Sequence, residues 1–205
     1  MQMQLTQVKK SRSSDKVWLT FDDGSFVPFK LDDYVLEKLK IGDTVDFDHL
    51  CELSLKFLIN NYALRQIAIS PKIGAILIPK LKNQSRYYIK KYSFPDLNSS
   101  KIIDEIINYL ENNNWLDQTA YAKFLLKKNQ KKSKRYLEQL FSFYHLDKTL
   151  LNSDSDRDNI KNLLLKKMSH ISKPLDFKTK TKLIQSLIQK GFAYNDIKSV
   201  IDESL

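Results

Sequence analysis

From about residue 48 to the C-terminus, apolar side chains recur with the period of an α-helix, and polar or proline-containing breaks divide this pattern into short segments. In the clearest segment, Ile102, Ile103, Ile106, Ile107 and Leu110 fall on one helix face. A short helix with one narrow apolar stripe is not stable alone, so such helices must pack in small groups. The pattern therefore predicts tandem three-helix modules.

Polar residues indicate where these helices begin and end. Ser99 or Ser100 is the expected N-cap of the helix that carries Ile102, and the asparagines at 112–114 should end it. Asp117 and Ser133 are the expected caps of the next two helices. The remaining breaks are expected at Asn152–Asp158, at Lys173-Pro174 and at Gly191-Phe192. The helices between and after these breaks carry three apolar stripes, which are Ile160, Leu163, Leu164 and Met168, then Leu183, Ile184, Leu187 and Ile188, then Ile197, Val200 and Ile201.

The first 30 residues favour strands instead. Runs rich in β-forming residues cover Met3–Val8, Lys16–Phe21 and Phe26–Phe29, and the Asp-Gly pair at 23–24 between the last two is a strong hairpin signal. We expect Asp32 or Asp33 to cap a short helix over Tyr34–Lys40, and Gly42-Asp43 to end it. The N-terminal region is thus predicted to be a small β-sheet with one short helix.

Residues 70–98 are ambiguous from periodicity. Pro71, Pro79 and Pro95 interrupt the helical pattern there. The aromatic and basic stretch Arg86–Tyr92 fits either a helix face or an extended binding segment. Both alternatives remain open at the level of sequence.

The charge is distributed unevenly along the 205 residues, whose net charge is +10. Residues 1–60 contain 8 basic and 10 acidic side chains, which leaves 26 basic and 14 acidic ones for residues 61–205. The densest stretch, from Lys123 to Arg135, has seven basic residues and no acidic one, and a second lies between Lys166 and Lys182 with Asp176 as its one acid. Such clusters predict a surface that faces a polyanion, although each lysine alone could simply solvate a helix face.

Several kinds of chemistry are excluded or disfavoured by composition. Four scattered glycines cannot form a glycine-rich phosphate loop, and one cysteine cannot form an intramolecular disulfide. The cluster of Asp46, Asp48, His49, Cys51 and Glu52 is better explained as a capped helix start than as a metal site. His145 and His170 lack partners at catalytic spacing. We therefore expect no enzymatic activity, metal or cofactor, and the single cysteine and lack of a long apolar run favour the cytoplasm.

The basic residues are accordingly the candidate contacts for a partner or a nucleic acid. The lysines among them would hold phosphate groups without reading bases. The candidates are Arg86, Lys90, Lys91, Lys123, Lys127, Lys128, Lys131, Lys132, Lys134, Arg135, Lys178, Lys180 and Lys182.

Several short motifs, in this order, resemble the RecX family of bacterial recombination regulators over nearly the whole chain. Val17–Phe26 followed by Leu36–Asp43 is similar to the family's N-terminal hairpin and its Gly-Asp exit. The family's repeat junctions and helix starts are matched by Ala63-Leu64-Arg65 with Ser70-Pro71-Lys72, by Asn114–Asp117 with Tyr121-Ala122, by Lys132–Arg135 with Leu137 and Leu140, and by Lys182-Leu183-Ile184 with Gly191-Phe192, Tyr194 and Ile197. The chain departs from the family in about a dozen extra residues near 84–97 and in lacking an arginine-rich turn in the first repeat.

The resemblance implies a mainly α-helical fold, with a small N-terminal β-region followed by three-helix, helix-turn-helix-like repeats in an elongated array. The implied domains are a β-rich region over 1–47, a first repeat over 48–113 with the insertion near 84–97, a second repeat over 114–155 and a third over 156–205.

The resemblance also implies the function of a regulator, in the first place an inhibitor, of the RecA recombinase in DNA repair. Such a protein would bind as a monomer along the groove of the RecA filament on single-stranded DNA. It would contact single-stranded DNA directly or through the filament, and double-stranded DNA is a further candidate. Two alternatives remain: a nonspecific DNA- or RNA-binding helical-repeat protein without a recombinase partner, and a subunit that docks on an acidic protein through Arg86–Tyr92.

Overall fold

The computed structural model describes residues 1–12, 15–151, 156–168 and 177–204 and divides the chain into two compact units, Met1–Asp117 and Gln118–Leu205. We call them the N-terminal unit and the C-terminal unit. The fold is mainly helical with a small N-terminal antiparallel sheet, as the sequence predicts. The domain boundaries after residues 47, 113 and 155 stay a prediction.

The described residues of the N-terminal unit form four strands and four helices. Its elements are β1 (Gln2–Lys10), β2 (Lys16–Phe21), β3 (Phe26–Lys30), α1 (Leu31–Leu36), β4 (Thr44–Asp46), α2 (Phe47–Ile69), α3 (Gly74–Tyr92) and α4 (Ser99–Asn112). The strands form one antiparallel sheet in the order β3-β2-β1-β4, so the predicted β2-β3 hairpin is confirmed and the three-residue β4 is an addition. Gly24 adopts φ +82° in the hairpin turn, a conformation that favours glycine.

One hydrophobic core joins the sheet to α2, α3 and α4. Alternate residues of β2, among them Val17 and Leu19, are fully buried together with Leu55 of α2 and Ile103 of α4. The Ser54 hydroxyl donates a 2.5 Å hydrogen bond to the Pro28 carbonyl and so fixes α2 against β3. Burial of these apolar side chains stabilises helices that would not persist alone in water.

Two predicted helix starts in this unit are wrong. Helix α1 begins at Leu31, directly after β3, so Asp32 and Asp33 lie in its first turn and neither is its N-cap. It ends at Leu36, well before Gly42-Asp43, and Lys38 beyond its C-cap has a left-handed φ of 52°. The N-cap of α4 is Asn98, whose side-chain oxygen accepts a 3.2 Å hydrogen bond from the Lys101 amide, so neither Ser99 nor Ser100 caps this helix.

The ambiguous stretch from Arg86 to Tyr92 is helical and forms the last two turns of α3. Pro79 lies inside this helix, where it removes one backbone hydrogen bond. The helix persists because Leu77, Leu81 and Ser85, spaced four residues apart, form a buried stripe. Tertiary burial therefore outweighs the local cost of the proline.

The C-terminal unit contains five α-helices in the part of the chain that is described. They are α5 (Gln118–Lys128), α6 (Lys134–Phe143), α7 (Asp156–Met168), α8 (Phe177–Ile188) and α9 (Tyr194–Ser204), with a 3-10 helix at Lys148–Leu150 after α6. Helices α7, α8 and α9 share a core of Ile160, Leu164, Leu187, Phe192, Ile197, Val200 and Ile201. Ile188 was expected in this core, but 46% of it is exposed because it lies on the outer face of α8.

Other predictions for this unit have mixed outcomes. Ser133 caps α6 as expected, since its hydroxyl accepts a 3.1 Å hydrogen bond from the Tyr136 amide. Gly191 has φ +92° and Phe192 donates its amide to the Leu187 carbonyl, which confirms the Schellman-type stop of α8. The Lys173-Pro174 break, most of the break at 152–158 and His170 lie outside the described residues.

Gly191→Ala should destabilise the C-terminal unit, because an added Cβ would lie 2.6 Å from the Ser133 hydroxyl oxygen and the backbone is left-handed there. We expect the free energy of unfolding to fall by about 1–3 kcal/mol, measured by urea denaturation. Gly24→Ala is the control, because Gly24 has a similar φ and nothing within 4 Å of the added Cβ. A decrease at Gly191 no larger than that at Gly24 would contradict a role for the Ser133 contact.

Candidate nucleic-acid interface

The seven basic residues of the stretch Lys123–Arg135, which we call the basic run, lie at the junction of α5 and α6. Lys123, Lys127 and Lys128 are on α5, whose opposite face buries Tyr121, Ala122 and Leu125. Lys131 and Lys132 follow in the connection, and Lys134 and Arg135 form the first turn of α6. Because the apolar side chains hold one face of α5 in the core, the lysines are held on the other.

The side chains of the basic run face solvent. All are exposed except Lys132, which is half-buried. Two of them lie over aromatic rings, with the Lys128 ammonium 5.9 Å from the centre of the Phe124 ring and the Lys132 ammonium 4.9 Å from that of Tyr136. Within the described ranges of the chain, no ion pair involves a member of the basic run. Their positive charge is therefore available to an external anion.

A carboxylate already occupies the N-terminus of α6. The Asp156 oxygen Oδ1 accepts a 2.8 Å hydrogen bond from the backbone amide of Lys134. The negative charge of Asp156 interacts favourably with the positive end of the helix dipole. It thereby offsets the unfavourable interaction of that end with the basic residues of the first turn. An external polyanion would therefore meet the side chains of the basic run rather than the helix terminus.

The three candidate lysines of α8 differ in their surroundings. Lys178 and Lys182 are exposed one turn apart, on the face opposite the buried Leu183 and Leu187. Lys180 lies 3.4 Å from the Asp202 carboxylate on α9, an exposed ion pair of small energetic value. Lys180 is thus the candidate of this group whose charge is partly neutralised within the chain.

Arg86, Lys90 and Lys91 belong to the N-terminal unit and lie near the end of α3. All three are exposed, and the Lys91 ammonium lies 5.5 Å from the Tyr87 ring centre and 5.3 Å from that of Tyr92. Its interaction with the Tyr87 hydroxyl raises the pKa of Lys91 above the ordinary lysine value. These three residues form a basic group of the N-terminal unit, whereas the basic run belongs to the C-terminal unit.

Residues that sequence analysis missed lie next to this group. Trp18 and Phe26 come from the β2-β3 hairpin, and both contact Tyr92 through their rings. The register of the hairpin puts both on one face of the sheet, where Trp18 is half-buried and Phe26 is exposed. Their proximity to residues more than sixty positions away follows from the tertiary fold alone.

The environment of Cys51 does not favour a nucleophilic role. Cys51 is fully buried, and burial, helped by Asp48, raises the pKa of its thiol to about 12, so the thiol is neutral at physiological pH. His49 pairs at 3.4 Å with Glu37 on the surface. Across the described residues, no group of three His, Cys, Asp or Glu side chains is arranged to hold a metal ion. No described helix is long and apolar enough to cross a membrane.

Residues 154–201 match the family model described as RecX, third three-helix domain. This segment, which we call the RecX domain, is therefore similar to the third three-helix domain of RecX. The resemblance to RecX stated from the sequence is thereby confirmed, and the matched segment includes α7 and α8 and most of α9. The α8 lysines lie inside this RecX domain, whereas the basic run lies outside the matched segment.

Solved structures show the same fold over a larger part of the chain. A crystal structure of the regulatory protein RecX matches with a TM-score of 0.52 and 14% sequence identity, and the match covers 98% of this chain and 99% of that one. A crystal structure of RecX from Lactobacillus salivarius is 20% identical, with a TM-score of 0.50, covering 73% of this chain and 96% of that one. No curated protein sequence gives a significant match. At these identities the structures show a shared fold.

Proposed function

We propose that this protein regulates the RecA recombinase, chiefly as an inhibitor, and does so without enzymatic activity of its own. It binds as a monomer along the groove of the RecA filament on single-stranded DNA, in the cytoplasm, and modulates ATP hydrolysis, strand exchange and filament stability. The observation that carries the proposal is the RecX domain at residues 154–201, supported by the fold shared with the regulatory protein RecX.

The exposed basic residues support a polyanionic partner. The basic run offers seven cations that no described carboxylate neutralises through an ion pair, and Lys178 and Lys182 add two more in the RecX domain. Lysines meet DNA phosphates or an acidic filament surface without selecting a base sequence. Contacts of this kind are individually weak, and several of them bound to one filament add through effective concentration.

The test is the steady-state ATP hydrolysis of RecA on single-stranded DNA, with this protein added below one copy per RecA. We expect inhibition at substoichiometric amounts, because a regulator that acts on filament growth or on several subunits at once is needed in few copies. A parallel titration on bare single-stranded DNA should give weaker binding than the filament does. Unchanged hydrolysis, combined with tight binding to bare DNA, would overturn the proposal.

Unchanged RecA hydrolysis with tight binding to bare DNA would favour the alternative function, that of a nonspecific DNA- or RNA-binding protein without a recombinase partner. The observation in its favour is the basic run itself, whose exposed cations would suit any nucleic acid. Because six of its seven members are lysine, which holds phosphate groups without selecting a base, base-specific recognition is not expected from them.

A further inference from the structure

A continuous group of aromatic rings covers the junction between the β2-β3 hairpin and the end of α3. Its members, which we call the aromatic platform, are Trp18, Phe26, Tyr87, Tyr88 and Tyr92. The rings follow one another in the order Phe26, Trp18, Tyr92, Tyr88, Tyr87, with successive centres 5.5–6.3 Å apart. Two of them, Tyr88 and Tyr92, are nearly parallel, with 25° between their planes.

Packing alone explains the middle of this platform and leaves its ends unexplained. Trp18, Tyr88 and Tyr92 are half-buried, and they hold the end of α3 against the sheet. In contrast, Phe26 is 49% exposed and Tyr87 is 52% exposed. Aromatic rings contribute to stability mainly when they are buried, so two exposed rings at the ends of one chain of contacts indicate a surface for an external planar group.

The charged side chains on the elements that build the platform are all basic. The three elements that build it, β2, β3 and α3, contain no aspartate or glutamate, and α3 alone contributes five basic residues. The Lys16 ammonium lies 4.4 Å from the Trp18 ring centre, and Lys91 lies over Tyr87 and Tyr92. Carboxylates flank these elements at Asp15, just before β2, at Asp22 and Asp23 in the hairpin turn, and at Asp96 beyond α3. The Asp23 carboxylate accepts a hydrogen bond from the Ser25 amide.

We infer that the aromatic platform is a binding site for single-stranded nucleic acid, in which unpaired bases stack on the exposed rings while Lys16, Arg86, Lys90 and Lys91 neutralise the adjoining phosphates. Stacking on aromatic side chains beside a basic groove is how proteins hold single strands without sequence preference. A duplex hides its base faces, so the platform selects unpaired strands. The site deepens the proposed function, since it gives Arg86, Lys90 and Lys91 a ligand, and it is tested without RecA.

The experiment uses the full chain with Trp115→Phe, which leaves Trp18 as the one tryptophan. An oligo(dT) of about 12 nucleotides is titrated while the Trp18 emission is recorded, and an abasic deoxyribose-phosphate oligomer of equal length and charge is the comparison. We expect oligo(dT) to quench Trp18 and to bind at least about tenfold more tightly than the abasic oligomer. Because stacking is not screened by ions, this ratio should persist as salt is raised.

Tyr87→Ala should weaken oligo(dT) binding by about tenfold, an effect within the range for removal of one stacked base. Tyr109→Ala is the matched control, because Tyr109 has nearly the same exposed fraction, 53%, in the same unit and lies outside the platform. Tyr87→Phe should retain the affinity, since it keeps the ring and removes the hydroxyl. Thermal melting of each variant verifies that it is folded, and the two exposed positions are expected to tolerate truncation.

Four results would overturn the inference. The first is equal affinity for oligo(dT) and for the abasic oligomer, and the second is an equal loss of oligo(dT) affinity in Tyr87→Ala and Tyr109→Ala. The third is a loss of affinity in Tyr87→Phe as large as that in Tyr87→Ala. The fourth is tighter binding of polyglutamate than of oligo(dT), which would indicate an acidic protein as the ligand. None of these results depends on RecA. Failure of the platform is therefore distinguishable from failure of the regulator proposal, which is measured by RecA ATP hydrolysis.

Discussion

Replacing Lys127, Lys128, Lys131 and Lys132 with alanine is expected to weaken binding to a RecA filament on single-stranded DNA and to make that binding less dependent on salt. Each lysine that meets a phosphate releases a counterion, so the slope of log affinity against log salt concentration should fall by about 0.7 for every such lysine that is replaced. If all four meet phosphates, the slope falls by about 3. Equilibrium binding to the filament, measured over a series of salt concentrations, gives this slope directly.

The substitutions should leave folding intact. Three of the four side chains are exposed, and the contact of Lys132 with the Tyr136 ring is worth no more than about 1 kcal/mol at such a site. The control is a variant of equal charge, with alanine at the exposed Lys10, Lys38, Lys40 and Lys101 of the N-terminal unit. A slope unchanged by the first set, or lowered equally by the control set, would refute a specific role for the basic run.

Leu187→Ala should lower the free energy of unfolding of the C-terminal unit by about 2–5 kcal/mol. Leu187 is fully buried in the core of α7, α8 and α9, so truncation leaves a cavity that neighbouring side chains only partly fill. The measurement is hydrogen exchange of peptides from α7, α8 and α9 along a urea series. These peptides report on the RecX domain directly, whereas both tryptophans lie in the N-terminal unit.

The adjacent Ile188 provides the matched control. It is apolar and lies in the same helix, but 46% of it is exposed, so Ile188→Ala should change stability by no more than about 0.5 kcal/mol. Equal effects at the two positions would mean that the buried face of α8 is assigned incorrectly. A large effect at Leu187 alone would verify the face on which Leu183 packs and, with it, the outward placement of Lys178 and Lys182.

The two proposed nucleic-acid contacts rest on different physical interactions. The basic run offers charge, whose contribution declines steeply as salt is raised. The aromatic platform offers ring faces, whose contribution is largely independent of salt but requires unpaired bases. Salt titration with oligo(dT) and with the abasic oligomer therefore separates the contributions of the two surfaces in a single protein, and Tyr87→Ala and the lysine variant assign each contribution to its surface.

Much of the local structure could be predicted from sequence, because it depends on near neighbours. Strand runs around an Asp-Gly pair gave the β2-β3 hairpin, and the period of Ile102–Leu110 gave the buried face of α4. The Ser133 cap and the Gly191 stop were predictable for the same reason, since each acts over three to five residues. The density of lysines between residues 123 and 135 also belongs to the sequence.

The remaining features were decided by contacts between distant segments. Helix α1 starts where β3 ends, and Asn98 rather than Ser99 caps α4. In both cases neighbouring residues are similar as local caps, so the tertiary structure decides where the helix begins. Helix α3 continues through Pro79 because its stripe of Leu77, Leu81 and Ser85 is buried against other elements. Local propensity is weaker than burial, so sequence period alone left residues 70–98 undecided.

The sequence by itself determined the class of fold, the resemblance to RecX and the basic character of residues 61–205. Only the tertiary structure brought Trp18 and Phe26 of the hairpin to Tyr92 and the other tyrosines of α3. Periodicity reports which face of an element is apolar, and it carries no information about which distant element that face will meet. The basic run is continuous in sequence and could be read from it, whereas the aromatic platform is assembled across more than sixty residues and exists only in the folded chain.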